Sequence, residues 1–184
     1  SPGLTEAVVI TTSRLVLRPF GEDDLEAFAA LNGDPRVNVW LGGPIDKTAT
    51  QAVLARSMAQ QAEHGFSWWA AELRATGALV GMCGLSVVGT DLPAGPGVEI
   101  GWRFVPEVWG LGLATEAAAA TLAWAAEHLP GQEIIAFTAQ TNLKSQAVMR
   151  RIGMAPMPER DFDHPRLAPE HPLRRHVVFV APRL

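Results

Sequence analysis

Residues 107–129, EVWGLGLATEAAAATLAWAAEHL, put Gly110 and Gly112 at the mouth of a long, alanine-rich helical pattern. The first N–H groups of a helix have no intrahelical acceptor, and the macrodipole makes that end positive. Glycine has no Cβ to keep an anion from those amides. Such a turn can hold a phosphate through its main chain, or it can serve packing alone. Two nucleotide-binding motifs are excluded directly. A P-loop needs Gly-Lys-Ser/Thr, whereas Gly112 precedes Leu113-Ala114. A Rossmann fingerprint needs a third Gly or Ala where Thr115 stands, and it opens a sheet rather than arriving late in one.

Other residues offer different chemistry. Glu99 lies in VEIGWRFV (98–105), where Val98, Ile100, Trp102 and Phe104 alternate against Glu99, Gly101 and Arg103. A carboxylate on such a strand is either a buried group of raised pKa or a surface or ion-paired glutamate. Cys83, the single cysteine, reads as a small core residue, with an acyl-enzyme nucleophile as the weaker alternative. Residues 161–176 hold His164, His171 and His176 with Asp161 and Asp163. Their spacing matches no compact ligand set, and no metal is expected. The two aspartates hint at a cationic partner. Trp40 and Trp68-Trp69 suit a pocket wall or a core equally well.

The elements that must position these groups follow from periodicity. RLVLRPF (14–20) reads as a strand, 21–35 as a helix stopped by Gly-Asp-Pro, and 47–63 as a second helix ending near Gly65. Strands are expected at 67–73 and 78–88, joined by a hairpin loop, then at 98–105 and 133–139. The helix between the last two implies a parallel pair with a right-handed crossover. A short helix at 142–154 carries Gly153 at its C′ position. A polar, proline-punctuated segment leads to a final strand at 174–181. The fold class is α+β.

Bulk properties narrow the partners. The 184 residues suit one domain, and a net charge of −4 lacks the positive field of a nucleic-acid binder. The Arg174-Arg175 pair is too small to change that. No apolar run approaches a membrane span, so no membrane partner is expected, and the single cysteine suits a cytoplasmic setting. Residues 1–10 are expected to be flexible or tag-derived. Tyrosine is absent, which removes one common proton donor.

Taken together, VEIGWRFVPEVWGLGLATEA, the helix after it and IIAFTAQTNLKSQAVMRRIGM resemble the GNAT superfamily of acetyl-CoA-dependent N-acetyltransferases. The opening TTSRLVLRPFGEDDLEAF is similar as well, and the nearer likeness is to the RimJ/RimL-type branch, whose founding members acetylate ribosomal-protein N-termini. The resemblance implies a mixed, mostly antiparallel sheet whose central parallel pair splays to admit acetyl-CoA, with helices on both faces. It implies cofactor contacts from Phe104, Val105, Val108, Gly110, Leu111, Gly112, Leu113, Ala114 and Thr115, joined by Asn142 and Lys144 from the next helix. Arg150 and Arg151 could meet the outer phosphate. Val108-Trp109 stands where relatives carry a basic residue or Gln.

The implied reaction is direct attack of an amine on a thioester, needing a base, an oxyanion donor and a donor to the leaving thiolate. Glu99 is the candidate base and Ser145 the candidate thiolate donor, although capping by Asn142-x-x-Ser145 explains that serine equally well. Trp40, Asp163 and His164 are candidates for the acceptor side. The acceptor is a peptide N-terminus or a small-molecule amine, and the chain a monomer or homodimer. A sensor that binds acyl-CoA with little catalysis is the alternative.

Overall fold

A computed structural model describes residues 8–182. Its strands are β1 (Ile10–Thr11), β2 (Leu15–Pro19), β3 (Trp68–Leu73), β4 (Leu79–Val88), β5 (Gly97–Phe104), β6 (Ile134–Ala139), β7 (Ala155–Pro156), β8 (Phe162–Asp163) and β9 (Arg175–Val180). Its α-helices are α1 (Leu25–Gly33), α2 (Pro35–Asn38), α3 (Lys47–His64), α4 (Leu113–His128) and α5 (Leu143–Arg151). The sheet runs β1-β2-β3-β4-β5-β6-β9-β7, with β8 also paired to β9. Every pairing is antiparallel except β5 with β6.

Alternation along the strands divides the core between the two sheet faces. Leu15, Leu17, Trp69, Cys83, Leu85, Ile100 and Phe104 pack with Leu113, Ala117, Ala118 and Ala125 of α4. The alanines keep that helix thin, so its backbone lies close on the sheet. On the other face Ala70 and Met82 meet Phe28 and Leu31 of α1 and Leu54 of α3. The expected fold class and helices on both faces are present.

Three local expectations change. The 21–35 helix ends at Gly33, because the Asp34 carboxylate accepts the Arg36 amide at 2.9 Å and Pro35 opens the short helix α2. Asp-Pro is both a stop and a start here. The 156–173 segment contains the short strand β8, added to β9 by pairing Phe162 with His176 and Asp163 with Arg175. Of the end expected to be flexible, residues 1–7 lie outside the described residues. Ile10 instead pairs with Leu17, and Val9 and Ile10 pack on the core, because both side chains are apolar and meet the first helical face of the sheet.

Candidate active site

The parallel ladder pairs Val98 with Ile134 and Glu99 with Ile135, and goes no further. Yet β5 continues to Phe104 and β6 to Ala139, so the strands part immediately beyond Glu99. Strands twist, and nothing after Ile135 holds β6 against β5 once β9 pairs along its far edge. A cavity of about 1120 Å³ occupies this opening. Its wall is built from β5, the turn before α4, the start of α5, and Arg36, Val37, Trp40 and Leu41 from the α1–α3 side.

The turn forms one end. Gly110 and Gly112 both sit at φ +81°, the left-handed region that glycine enters without strain. None of the amides of Gly110, Leu111, Gly112, Leu113, Ala114 and Thr115 has a hydrogen-bond acceptor among the described residues; the first helical bond runs from the Glu116 amide to Gly112 O at 3.0 Å. A Cβ at Gly112 would stand 3.6 Å from Arg14 Nη2, an ordinary contact. The backbone conformation, rather than crowding, is therefore what requires glycine there.

The turn is braced by residues that the sequence does not single out. Arg14, just before β2, donates Nη1 to Leu111 O at 2.8 Å and Nε to Glu116 Oε1 at 2.8 Å. Thr12 Oγ1 and the Arg14 amide donate to Glu116 Oε2. These bonds hold the Glu116 carboxyl below its ordinary value despite partial burial, and they neutralise an acid that would otherwise repel a phosphate. Trp109 donates Nε1 to Phe104 O at 2.8 Å, and Lys144 Nζ lies 5.3 Å from its ring centre, a cation–π contact linking turn and α5.

Of the residues expected to bind cofactor, Phe104, Val108, Gly110, Gly112, Leu113, Ala114, Thr115, Asn142 and Lys144 line the cavity. Val105 and Leu111 do not: the Val105 amide is spent on Val80 O, and the Leu111 side chain is 56% exposed. Arg151 lines the wall, whereas Arg150 lies over the Phe179 ring, 5.0 Å away. Asn142 caps α5 by accepting the Ser145 amide at 3.4 Å, and its Nδ2 donates to Thr138 Oγ1 and Ser145 Oγ. Ser145 thus gives its amide to the Asn142 cap, and its side chain also faces the cavity.

Glu99 stands where the strands part. It has no hydrogen bond or ion pair among the described residues. It retains an opening to the cavity, but protein surrounds it, and desolvation pushes its carboxyl up to about 8 against the opposing pull of Arg103. A carboxyl poised near neutrality is suited to taking a proton. Cys83 is the opposite case: fully buried, 3.4 Å from Thr121 Oγ1, its thiol pushed up to about 12. It is a core residue, and no acyl-enzyme step falls to it.

On the acceptor side, Trp40 lines the cavity at 39% exposure. Asp163 and His164 do not; β8 carries Asp163 out to Arg175, 3.6 Å away. His176, opposite Phe162 on β9, lines the wall instead. The His164 and His176 rings lie 5.0 Å apart, and burial, the first cause for each, holds both below the ordinary histidine value. Among the described residues no group of three or more His, Cys, Asp or Glu is gathered to hold a metal, and no helix is long and apolar enough to cross a membrane.

A family model for the acetyltransferase (GNAT) domain matches residues 14–155. The chain belongs to the GNAT acetyltransferases. It is 31% identical over 146 residues to the uncharacterized protein YkkB of Bacillus subtilis (strain 168), covering 79% of this chain and 84% of that one. The crystal structure of an acetyltransferase from Agrobacterium tumefaciens str. C58 superposes with a TM-score of 0.77 at 30% identity, over 95% of this chain and 94% of that one. RimL, a ribosomal-protein alpha-N acetyltransferase solved with coenzyme A, shares the fold with a TM-score of 0.74 at 14% identity, over 96% and 98% of the two chains. GNAT enzymes use acetyl-CoA as co-substrate, and this GNAT chain is an N-acetyltransferase.

Proposed function

We propose that this enzyme transfers acetyl directly from acetyl-CoA to a primary amine, of a peptide N-terminus or a small molecule, within a ternary complex. One observation carries the reading. A carboxyl with no protein partner among the described residues stands where β5 and β6 part, in the same cavity as a run of main-chain amides that have no acceptor among those residues. The amides from Gly110 to Thr115 suit a diphosphate, each charge-assisted bond contributing roughly 1.5–3 kcal/mol. The free edge of β5 beyond Glu99 suits an extended amide-bearing arm, which adds to a sheet as a strand does. Lys144, over the Trp109 ring, stands near enough to the turn to meet outer phosphate charge, and Arg151 lines the same cavity.

In this reading Glu99 accepts the ammonium proton, directly or through water. The freed amine nitrogen bonds to the thioester carbon; as the carbon–sulfur bond breaks, the nitrogen's second proton passes through water to the departing thiolate, which takes a hydrogen bond from Ser145. An edge amide of β5 in the splay faces the developing oxyanion. Because Glu99 must be ionised to act, the rate rises with pH through about 8.

The test is free-thiol release from acetyl-CoA with a panel of peptides and small amines, for wild type and Glu99→Gln. Turnover by wild type and its loss in the variant, at equal acetyl-CoA affinity, supports the reading. Acetyl-CoA binding without turnover of any amine would make the chain a sensor.

A further inference from the structure

The acceptor side of the cavity holds a cation that this reaction does not use. Arg103 lines the cavity and is enclosed by protein. Its Nη1 donates to Asn32 Oδ1 at 2.6 Å. No carboxylate pairs with it among the described residues, and Glu99 acts on it only through space. Arg36, in the same wall, is committed to Asp34 and Glu107. Ser57 Oγ is the one sealed side-chain polar atom without a partner among the described residues, so the free guanidinium nitrogens of Arg103 are reached from the cavity.

Its position is built rather than accidental. Asn32 is fully buried, and its Nδ2 donates to Thr50 Oγ1 at 3.1 Å, so α1 and α3 together fix the oxygen that holds the guanidinium. That partner is neutral and leaves the charge uncompensated, a costly arrangement in an enclosed site unless an anion arrives. Successive odd positions of β5 share a face, so Glu99, Gly101 and Arg103 form a row spanning roughly 13 Å between the outer Cα atoms. At Gly101 a Cβ would lie 2.8 Å from Trp68 Cη2; the indole occupies the middle of the row. The sequence along the cavity floor is carboxylate, aromatic ring, guanidinium.

We infer that the acceptor carries an anionic group, a carboxylate or a phosphate, several bonds from its reacting amine, held by Arg103 while the segment between rests on Trp68. This rests on the acetyltransferase reading of the cavity. The aspartates that hinted at a cationic acceptor are engaged elsewhere: Asp161 accepts the Val178 amide at 3.0 Å, and Asp163 pairs with Arg175.

The experiment compares kcat/KM by thiol release for length-matched n-alkylamines, diamines, ω-amino carboxylates and ω-amino phosphonates. Wild type is expected to prefer the anionic series by at least about tenfold over neutral amines, and the two anionic arms tell carboxylate from phosphate. Arg103→Met is expected to bring that ratio near one, with acetyl-CoA affinity unchanged. Losing the pull of Arg103 also raises the Glu99 carboxyl, which shifts the turnover of all amines together, so the ratio at one pH is the readout. Equal use of neutral and anionic amines by wild type, or the wild-type ratio kept in the variant, overturns the inference and leaves the transferase reading standing. No turnover of any amine overturns both. Should Arg103→Met not fold, Arg103→Lys serves, since it keeps the charge and loses the fork. A KM raised for anionic amines alone supports the role, and a KM raised equally for all amines overturns it.

Discussion

The two ends of the cavity are made from different materials. The turn from Gly110 to Thr115 presents main-chain amides: Gly110 and Gly112 carry no side chain, Leu111 is exposed and Leu113 is buried in the core. The opposite floor presents the side chains of Glu99, Trp68 and Arg103, set out by strand register and pinned by helices on the far face. Main-chain recognition serves a ligand common to a whole family. Side-chain recognition serves what differs between its members. The mutations that separate binding from chemistry should divide along this line.

The largest effect belongs to the floor. Glu99→Gln is expected to lower kcat by about 10²–10⁴ near pH 8, with acetyl-CoA affinity measured by calorimetry unchanged. The same substitution has a stability signature. The folded carboxyl titrates near 8 rather than at 4.5, so the folded state holds a proton that the unfolded chain has lost between those values. Stability from this group therefore falls as pH rises across that window. Glu99→Gln should melt a few degrees above wild type at pH 9 and together with it at pH 4, as thermal scans would record. An unchanged kcat would move the base elsewhere.

A smaller effect is expected at the turn, and on binding alone. Gly112→Val forces a β-branched residue to φ +81°, a strain of roughly 1–3 kcal/mol, and should weaken acetyl-CoA by about ten- to a hundredfold in a calorimetric titration. Arg14→Ala removes the brace at Leu111 and Glu116. Its side chain is 47% exposed, so the expected loss is only about three- to fivefold in acetyl-CoA affinity, with kcat preserved. If Arg14→Ala lowered kcat and left binding intact, the division between the two ends would fail. Smallest of all, Cys83→Ala should keep its steady-state rate within about twofold, as a core residue requires.

The sequence made the turn legible because the constraint is local: glycines, small residues and a helical period lie side by side. The face that carries Glu99 was legible for a similar reason, through strict alternation along 98–105. The brace was not, since Arg14 and Glu116 are separated by 102 positions. Nor was the hold of Asn32 on Arg103, 71 positions away, which only packing of α1 against the sheet brings about. The resemblance points to Asp163 and His164 for the acceptor wall because their segment leads into the last strand. It does not show that β8 joins β9 and sends Asp163 to Arg175 while His176 lines the cavity. Val9 and Ile10 read as part of a loose end, yet Ile10 finds a strand partner in Leu17, seven positions later.

The central claim is that main-chain amides at the mouth of α4 grip the diphosphate of acetyl-CoA. Amide chemical shifts of isotopically labelled protein, followed during titration with coenzyme A, test it directly. The account predicts that the largest downfield shifts fall on Gly110 to Thr115, saturating together with the binding isotherm. Saturable binding that leaves those amides where they began, and moves others instead, would contradict it.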